Sequence, residues 1–334
     1  MSLNSIGDLA QSFILRRHTA GLKSTVQTLS NEMVTGLATD TARKTHGDLA
    51  PLNAIDSTLA RLTAYGAATS EAAVFTETMQ TALTGIETMT SDLGPTLLTV
   101  ANTGNAASVT NLGKDARQKF ETTVATLNTR AGDRSLFAGQ ASDTQALADA
   151  ETILSALDTA IIGAVSAGDI ETAVTNWFND PAGFATVGYL GGAPLAPLGI
   201  AAGEQAKLDI TAADPAIRDT LKGLALAALL DRGALSGSPS GRADLAHRAG
   251  ESLINTQTDR AHLSAGLGIV ENQIEQAKAR NGAEATSLQI ARLGILAVDP
   301  YETASKLEET QTQLETLYSI TARLSRLSLM DFLR

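Results

Sequence analysis

The sequence predicts a mainly α fold with an α+β insert: a long antiparallel helical bundle or coiled coil built from both termini, with a smaller mixed outer domain in the middle. Three observations predict this architecture. Leucines recur at helical spacing near both ends of the 334-residue chain. Aromatic residues make up only 4% of the sequence, whereas a large compact core normally uses more aromatic volume. The middle of the chain is instead rich in glycine, proline and acidic residues.

The N-terminal residues 1–35 carry leucines at heptad spacing, which predicts a helix with one apolar seam. The residues of this seam are Leu15, Leu22, Val26, Leu29 and Met33. Gly36 suits the end of the helix, because glycine readily adopts the left-handed conformation that closes many helices. From Gly36 to Pro51 the helical period lapses, so we expect a non-helical connector there.

The last stretch, residues 299–334, predicts a second terminal helix with a narrow apolar stripe. Pro300 suits its first turn, where the missing N–H of proline removes no hydrogen bond. The stripe consists of Ala304, Leu307, Leu314, Leu317, Ile320, Leu324 and Leu327. Isolated helices are marginal in water, so this stripe requires a partner, and the N-terminal helix is the candidate.

The two terminal helices are expected to pair in antiparallel orientation. A register that sets residue 5 opposite residue 333 would place Lys23 opposite Glu315, where the two side chains could form an ion pair. Apolar seams at both extreme ends of a chain favour assembly elements over parts of a closed core. The leucine seams are therefore the predicted assembly interface.

Helical periods fill most of the remaining chain, at residues 52–93, 109–131 and 242–298. The first and the last of these patterns rise through comparable lengths at ~1.5 Å per residue, which lets the chain return to the N-terminal helix. Residues 133–139 lose the helical period and predict a turn with a short strand.

Residues 141–240 differ in composition from the rest and are predicted to form a separate, outward-facing domain. They hold 12 acidic and 4 basic residues, together with the single tryptophan. Helices are expected at Ala146–Ala167 and Ile217–Leu230, with short strands between Gly188 and Ile210.

The predicted organisation is nested, with helical arms at the ends, helical segments next to them and the acidic insert at the centre. A linker of glycine, serine and proline closes the insert near residue 240. The predicted domains are 1–40 as the N-terminal helical assembly arm and connector, 41–140 as the first part of an inner helical domain, 141–240 as the acidic α+β insert, 241–298 as the return helix of the inner domain, and 299–334 as the C-terminal helical assembly arm.

Composition and charge argue against several classes of function. The net charge of −11 argues against a nucleic-acid partner. No apolar run is long enough to cross a bilayer, so no membrane span is expected. The chain has no cysteine, which rules out disulfides and cysteine metal sites. The N-terminal residues lack the pattern of a cleaved signal peptide.

No motif for catalysis, for a cofactor or for a metal stands out, and we expect none of the three. The histidines at positions 18, 46, 247 and 262 lack the spacing of a zinc site. The segment Gly266–Gly268 follows no predicted strand and lacks the third glycine of a dinucleotide-binding loop. The sequence therefore predicts a protein that is not an enzyme.

Three passages of the sequence resemble segments of a known family. LSNEMVTGL at residues 29–37 resembles an N-terminal segment of that family, and DRSLFAG at residues 133–139 resembles a turn that leads into an outer domain. Residues 299–333 resemble its C-terminal arm over their whole length. The family is the bacterial flagellin superfamily, and within it the likeness is greatest to the hook–filament junction proteins, or third hook-associated proteins. Residues 38–48 depart from the family pattern, because they lack its basic residue followed by two aspartates.

The resemblance implies a structural protein of the bacterial flagellum that is secreted unfolded through the type III export channel, which would account for the missing cleavable signal. It implies terminal arms that are disordered in the monomer and become ordered on assembly. The implied partners are further copies of the chain in a ring or helical array, the hook-side hook-associated protein, flagellin and an export chaperone. The implied position is the junction between hook and filament.

Alternatives remain open at this point. A filament flagellin would share the same terminal helices and would differ in copy number per flagellum. A soluble helical adaptor or chaperone that binds partner helices would instead have ordered termini as a monomer and would not appear in the medium. An enzyme in the acidic insert has no motif behind it and would need a cleft with convergent polar groups.

Overall fold

The computed structural model describes residues 3–332 and, within its terminal helices, the side chains of residue 10 and of residues 12–324. Helices dominate the described residues, which confirms the predicted mainly α class. The helices are α1 Leu3–Thr35, α2 Thr41–Lys44, α3 Ala50–Ser91, α4 Leu93–Thr103, α5 Ala106–Leu127, α6 Ala150–Ala160, α7 Ala167–Asn179, a π-helix Phe184–Gly188, α8 Pro215–Ala228, α9 Pro239–Asn255, α10 Gln257–Leu296 and α11 Pro300–Phe332.

Two small antiparallel sheets of two strands each occur between these helices. Strand β1, Arg130–Ala131, pairs with β2, Arg134–Ser135. Strand β3, Leu198–Ala201, pairs with β4, Glu204–Ala206. The predictions of a strand within residues 133–139 and of short strands between residues 188 and 210 are therefore confirmed.

Gly139 closes the turn that follows β2. Its φ of +58° lies in the left-handed region, and an added Cβ would collide with the carbonyl oxygen of Ala193. The preceding residues Leu136, Phe137 and Ala138 are fully buried. The passage is thus a tight turn that places an apolar tripeptide in the core, and glycine is required at its end.

Several helix boundaries differ from the predicted ones. The helical period at 52–93 covers two helices, because α3 ends at Ser91 and α4 starts at Leu93, with Gly94 and Pro95 in the first turn of α4, where proline costs no hydrogen bond. The single return helix predicted at 242–298 is two helices, α9 and α10, which separate at Thr256. The hydroxyl of Thr256 donates to the carbonyl oxygen of Ser252 over 3.1 Å, beside the backbone bond from Thr256 N to the same oxygen over 3.2 Å.

The chain divides into two compact units. The first unit combines Met1–Leu62 with Ala283–Arg334, and among its described side chains the buried leucines are Leu52, Leu62 and Leu296. Arg292 Nε donates to Asp56 Oδ1 over 2.8 Å and links α10 to α3 within this unit.

The second unit is Thr63–Gly282 and contains one continuous hydrophobic core. Phe120 of α5, Leu157 of α6 and Leu224 of α8 belong to this same core. An added Cβ on Gly223 of α8 would lie 2.8 Å from Leu253 Cδ2 of α9, so the two helices pack closely through glycine. Residues 141–240 share this core with the helices on either side, so they are not a separate compact unit as the composition predicted. Composition reports surface charge, whereas the unit is defined by the apolar residues that the insert and its flanking helices contribute together.

Candidate assembly surface

The terminal helices α1 and α11 pack against each other in antiparallel orientation. An antiparallel bridge joins Leu37 and Ala297 at the base of the pair. Further along, an open cleft of about 330 Å³ lies between the helices and is lined by His18, Leu22, Thr312, Gln313, Thr316, Leu317 and Ile320. The predicted antiparallel direction of the two arms is therefore observed within one chain.

Two backbone hydrogen bonds tie the base of the arms together. Ala38 N donates to Leu296 O over 2.8 Å, and Val298 N donates to Gly36 O over 3.0 Å. Gly36 has a φ of +70°, so it takes the left-handed conformation expected of a residue that ends a helix. The end of α1 at Gly36 thus lies beside the break between α10 and α11, so both arms start from the same place.

Asp299 starts the C-terminal arm. Its Oδ1 accepts hydrogen bonds from Tyr301 N over 2.8 Å and from Glu302 N over 3.2 Å. Pro300 occupies the first position of α11, as its sequence predicted. These groups satisfy backbone donors that a helix otherwise leaves unpaired, so the start of the arm is fixed by local chemistry.

Most of the predicted seam residues are half-buried on the paired arms, whereas Met33 and Ile320 are exposed. The exposed fraction of Met33 is 44%. The side chain of Leu327 lies outside the described residues. The half-buried members of the seam are Leu15, Leu22, Val26 and Leu29 on α1 with Leu307, Leu314, Leu317 and Leu324 on α11.

Lys23 contacts a ring instead of the carboxylate that the sequence predicted. Its Nζ lies 5.7 Å from the ring centroid of Tyr318, a distance at which a cation is attracted to an aromatic face. Among the described side chains, no ion pair joins Lys23 and Glu315. Tyr318 lies about one helical turn beyond Glu315, so the ammonium group reaches further along α11 than the predicted register allowed.

A second set of apolar residues on the arms is exposed, and all of its members except Ile320 lie outside the predicted stripes. We call these the outer apolar residues. They are Phe13, Ile14 and Val34 on α1 with Tyr301, Tyr318 and Ile320 on α11. Phe13 is 67% exposed and Val34 is 84% exposed. Single exposed apolar residues are common on protein surfaces, whereas several large ones on one pair of helices indicate an interaction surface. Aromatic residues at polar positions of an aromatic-poor helix are the sequence signal that could have identified this set.

Other kinds of site find little support in the described part of the chain. No group of three or more His, Cys, Asp and Glu residues there could hold a metal ion. His247, the one half-buried histidine, has its Nδ1 3.5 Å from a carboxylate oxygen of Glu251 on the same helix. None of the helices in residues 3–332 is long and apolar enough to cross a membrane.

Comparison with known proteins gives a match to one family model and similarities to solved structures. Residues 252–333 match the family model of the bacterial flagellin C-terminal helical region, a segment that includes the whole of α10 and α11. A solved structure from Vibrio parahaemolyticus, described as a flagellar hook-associated protein, aligns with a TM-score of 0.50 and 13% identity. That alignment covers 72% of this chain and 94% of the other. At this identity the likeness concerns the fold alone. No curated protein matches the chain.

Proposed function

We propose that this chain is a structural component of the bacterial flagellum that polymerises through its terminal helices. The observation that carries the proposal is the antiparallel pair α1 and α11, which is tied at its base and contains part of the flagellin-type segment 252–333. Nearly all the apolar side chains described on this pair stay at least partly exposed. A helix pair with so little buried surface gains stability by covering its faces with further helices.

In this proposal the two apolar surfaces of the arms have different roles. The half-buried seam leucines, represented by Leu22 and Leu317, hold the two arms of one chain together. The outer apolar residues, represented by Phe13 and Tyr318, contact neighbouring copies. Successive copies meet head to tail, because an open helical array requires two different surfaces on each subunit. Met33, which is exposed in the single chain, extends the seam in the assembled state.

The finer form of the proposal is a hook–filament junction protein, secreted through the flagellar export channel. The resemblance of residues 133–139 and 299–333 to junction proteins supports it, as does the fold shared with a protein described as hook-associated. Its partners would then be a hook-side hook-associated protein, flagellin and an export chaperone. The chain would form a short ring instead of a long filament.

Filament flagellin is the second candidate, because the matched family model describes the flagellin C-terminal region itself. A soluble helical adaptor is the third, because α1 and α11 are helical and paired within a single chain. The three candidates differ in where the protein is found and in how many copies each flagellum holds.

Immunogold labelling of detached flagella tests all three. A single band at the distal edge of the hook is the expected result. Labelling along the whole filament would identify a flagellin instead. Flagella without label, together with protein retained in the cells, would contradict a flagellar role and favour the adaptor. A strain that lacks the gene serves as the labelling control.

A further inference from the structure

The second unit contains an open apolar cleft that is remote in sequence from the arms. Its volume is about 480 Å³, within the range that holds ligands or inserted side chains. Met79 of α3 and Leu267 of α10 are buried at the cleft and provide apolar surface there. The remaining lining includes Pro194, Leu208, Ile210, Leu263, Gly266 and Val270.

Titratable side chains also contribute to the lining of the cleft. They are Lys207, Asp209, Asp214 and His262. Asp214 Oδ1 already accepts the backbone N–H of Ala216 over 3.0 Å and caps α8. The cleft therefore suits an apolar occupant surrounded by polar groups.

The loop between α6 and α7 exposes apolar side chains of a matching kind. Ile162 is 79% exposed and Val165 is 84% exposed. Gly163 between them has a φ of +89°, so the chain turns sharply and presents both side chains. Residues 159–168 contain no charged residue, although the surrounding segment is strongly acidic. We call residues 161–165 the apolar tip.

The cleft and the apolar tip lie at opposite ends of α8. Asp214, which precedes the first residue of α8, lines the cleft. Arg232, four residues after the end of α8, donates from Nε to Asp158 Oδ2 over 2.5 Å, and Asp158 lies three residues before the apolar tip. Because α8 has 14 residues at ~1.5 Å each, about 20 Å of rigid helix separates the two features.

We propose that the apolar tip of one copy inserts into the cleft of a second copy. A protrusion and a pocket at opposite ends of α8 are two different surfaces, so they make a heterologous contact, which propagates head to tail. A second copy is the fitting occupant, because the same chain supplies both an exposed apolar tip without charged residues and an open, largely apolar cleft. The contact uses no residue of α1 or α11, so it stands independently of the arms.

Disulfide trapping tests the contact directly, because the natural chain contains no cysteine. The full-length double variant Val165→Cys with Gly266→Cys, treated with a mild oxidant near millimolar concentration, is expected to give a ladder of cross-linked oligomers. An equal mixture of the two single variants is expected to give mainly dimers that contain one copy of each. The control Val165→Cys with Gly268→Cys should give no ladder, because residue 268 is not among those lining the cleft.

Filling the cleft provides a second measurement. An added Cβ at either Gly266 or Gly268 would have open space within 4 Å, so leucine at either position should leave the fold intact. The background for this test is the double variant Val165→Cys with Leu208→Cys, which places the second cysteine in the cleft. Adding Gly266→Leu is expected to abolish its cross-linking, whereas adding Gly268→Leu should not. A ladder no stronger than that of the control, or dimers joined only tip to tip through Val165→Cys, would overturn the proposal.

Discussion

Gly94 and Gly250 face each other where α4 crosses α9. A Cβ built on Gly250 would lie 2.9 Å from the carbonyl oxygen of Gly94, and a Cβ built on Gly94 would lie 3.0 Å from Ile254 Cγ1. Two helices can approach this closely only when neither carries a side chain at the crossing. This explains how a chain with few aromatic residues still packs long helices tightly, since small residues let the backbones approach closely.

Alanine at position 250 is therefore expected to destabilise the second unit. The rigid backbone oxygen of Gly94 cannot move aside, so Gly250→Ala should lower the free energy of unfolding by about 1–3 kcal/mol. Urea unfolding followed by circular dichroism measures this change. Gly85→Ala on α3 is the matched control: its Cβ would meet nothing within 4 Å, and it should stabilise by about 0.5–1 kcal/mol. Equal effects at the two positions would contradict the tight crossing.

Arg260 is nearly buried and depends on one carboxylate. Its Nε donates to Glu87 Oε2 over 2.6 Å, and its Nη1 donates to Thr256 Oγ1 over 2.8 Å. Glu87→Gln would leave the guanidinium group without a compensating charge, so we expect a loss of about 1–3 kcal/mol in unfolding free energy. Glu77→Gln, an exposed change on the same helix, should stay within about 0.5 kcal/mol of the natural protein. A Glu87→Gln variant as stable as that control would show that the pair contributes nothing.

Asp214 is expected to destabilise the fold at neutral pH. Burial raises the pKa of its carboxyl group above the ordinary value of 3.8, and the nearby Asp209 adds to the shift, whereas the hydrogen bond from Ala216 N opposes it. The folded state then holds the proton more tightly than the unfolded state, so the cost of the ionised form disappears as the pH falls through the raised pKa. Asp214→Asn keeps the capping acceptor and should be more stable near neutral pH, with the advantage shrinking on acidification.

Replacing Asp169 is expected to change the stability in the opposite direction, measured by the same unfolding experiment. Hydrogen bonds from the Ser166 hydroxyl and from the backbone N–H groups of Val165 and Ser166 lower the pKa of its carboxyl group. Its contribution to stability is present above the ordinary value of 3.8 and is lost as the pH falls through the lowered pKa. Asp169→Asn should therefore be less stable than the natural protein near neutral pH. Unfolding curves that show the same sign for both variants would contradict these assignments.

The arms are expected to tolerate charge poorly at the seam. Leu317 and Leu324 are half-buried between α1 and α11, so the double variant Leu317→Asp with Leu324→Asp should separate the arms and abolish motility. Thermal unfolding of the second unit should change little, because its core contains neither residue. The control Gln311→Asp with Ser319→Asp adds the same charge at exposed positions of the same helix and should remain motile. A motile seam variant would count heavily against polymerisation through the arms.

The arms are also expected to exchange amide protons fastest in the isolated protein. Within the described side chains of α1 and α11, only Thr303 and Thr310 are buried, whereas the second unit has a continuous apolar core. Helices with so little buried surface open locally at low free-energy cost. Hydrogen exchange on dilute protein should show rapid exchange in residues 3–35 and 300–332, and slow exchange in α5 and α8. Equal protection throughout would mean that the arms order without neighbours.

The sequence predicts the terminal helices well, because heptad leucines and Pro300 define both their faces and a boundary. Heptad spacing indicates that the apolar stripe of a helix packs against another helix. It does not indicate whether that helix belongs to the same chain or to another copy. Helix α7 was missed although Ser166 and Asp169 have the spacing of a capping box, which the structure forms. The surrounding glycines at 163 and 168 obscured its period.

The boundary of the acidic insert was predicted from charge, and it does not coincide with either boundary between the compact units. Those boundaries fall at residues 62 and 282, inside the continuous helices α3 and α10. A helix that passes through a boundary shows no break in period, no linker and no change in composition. Such a division depends on which distant residues pack together, and a single sequence does not contain that information in readable form.

The paired hydrogen bonds at Gly36 and Val298 have a mechanical consequence. The two bonds, Ala38 N to Leu296 O and Val298 N to Gly36 O, lie next to each other between the same two chain segments. A pull on either arm therefore strains both bonds at the same time. The two arms are therefore mechanically coupled at their base, so a pull on one is shared with the other.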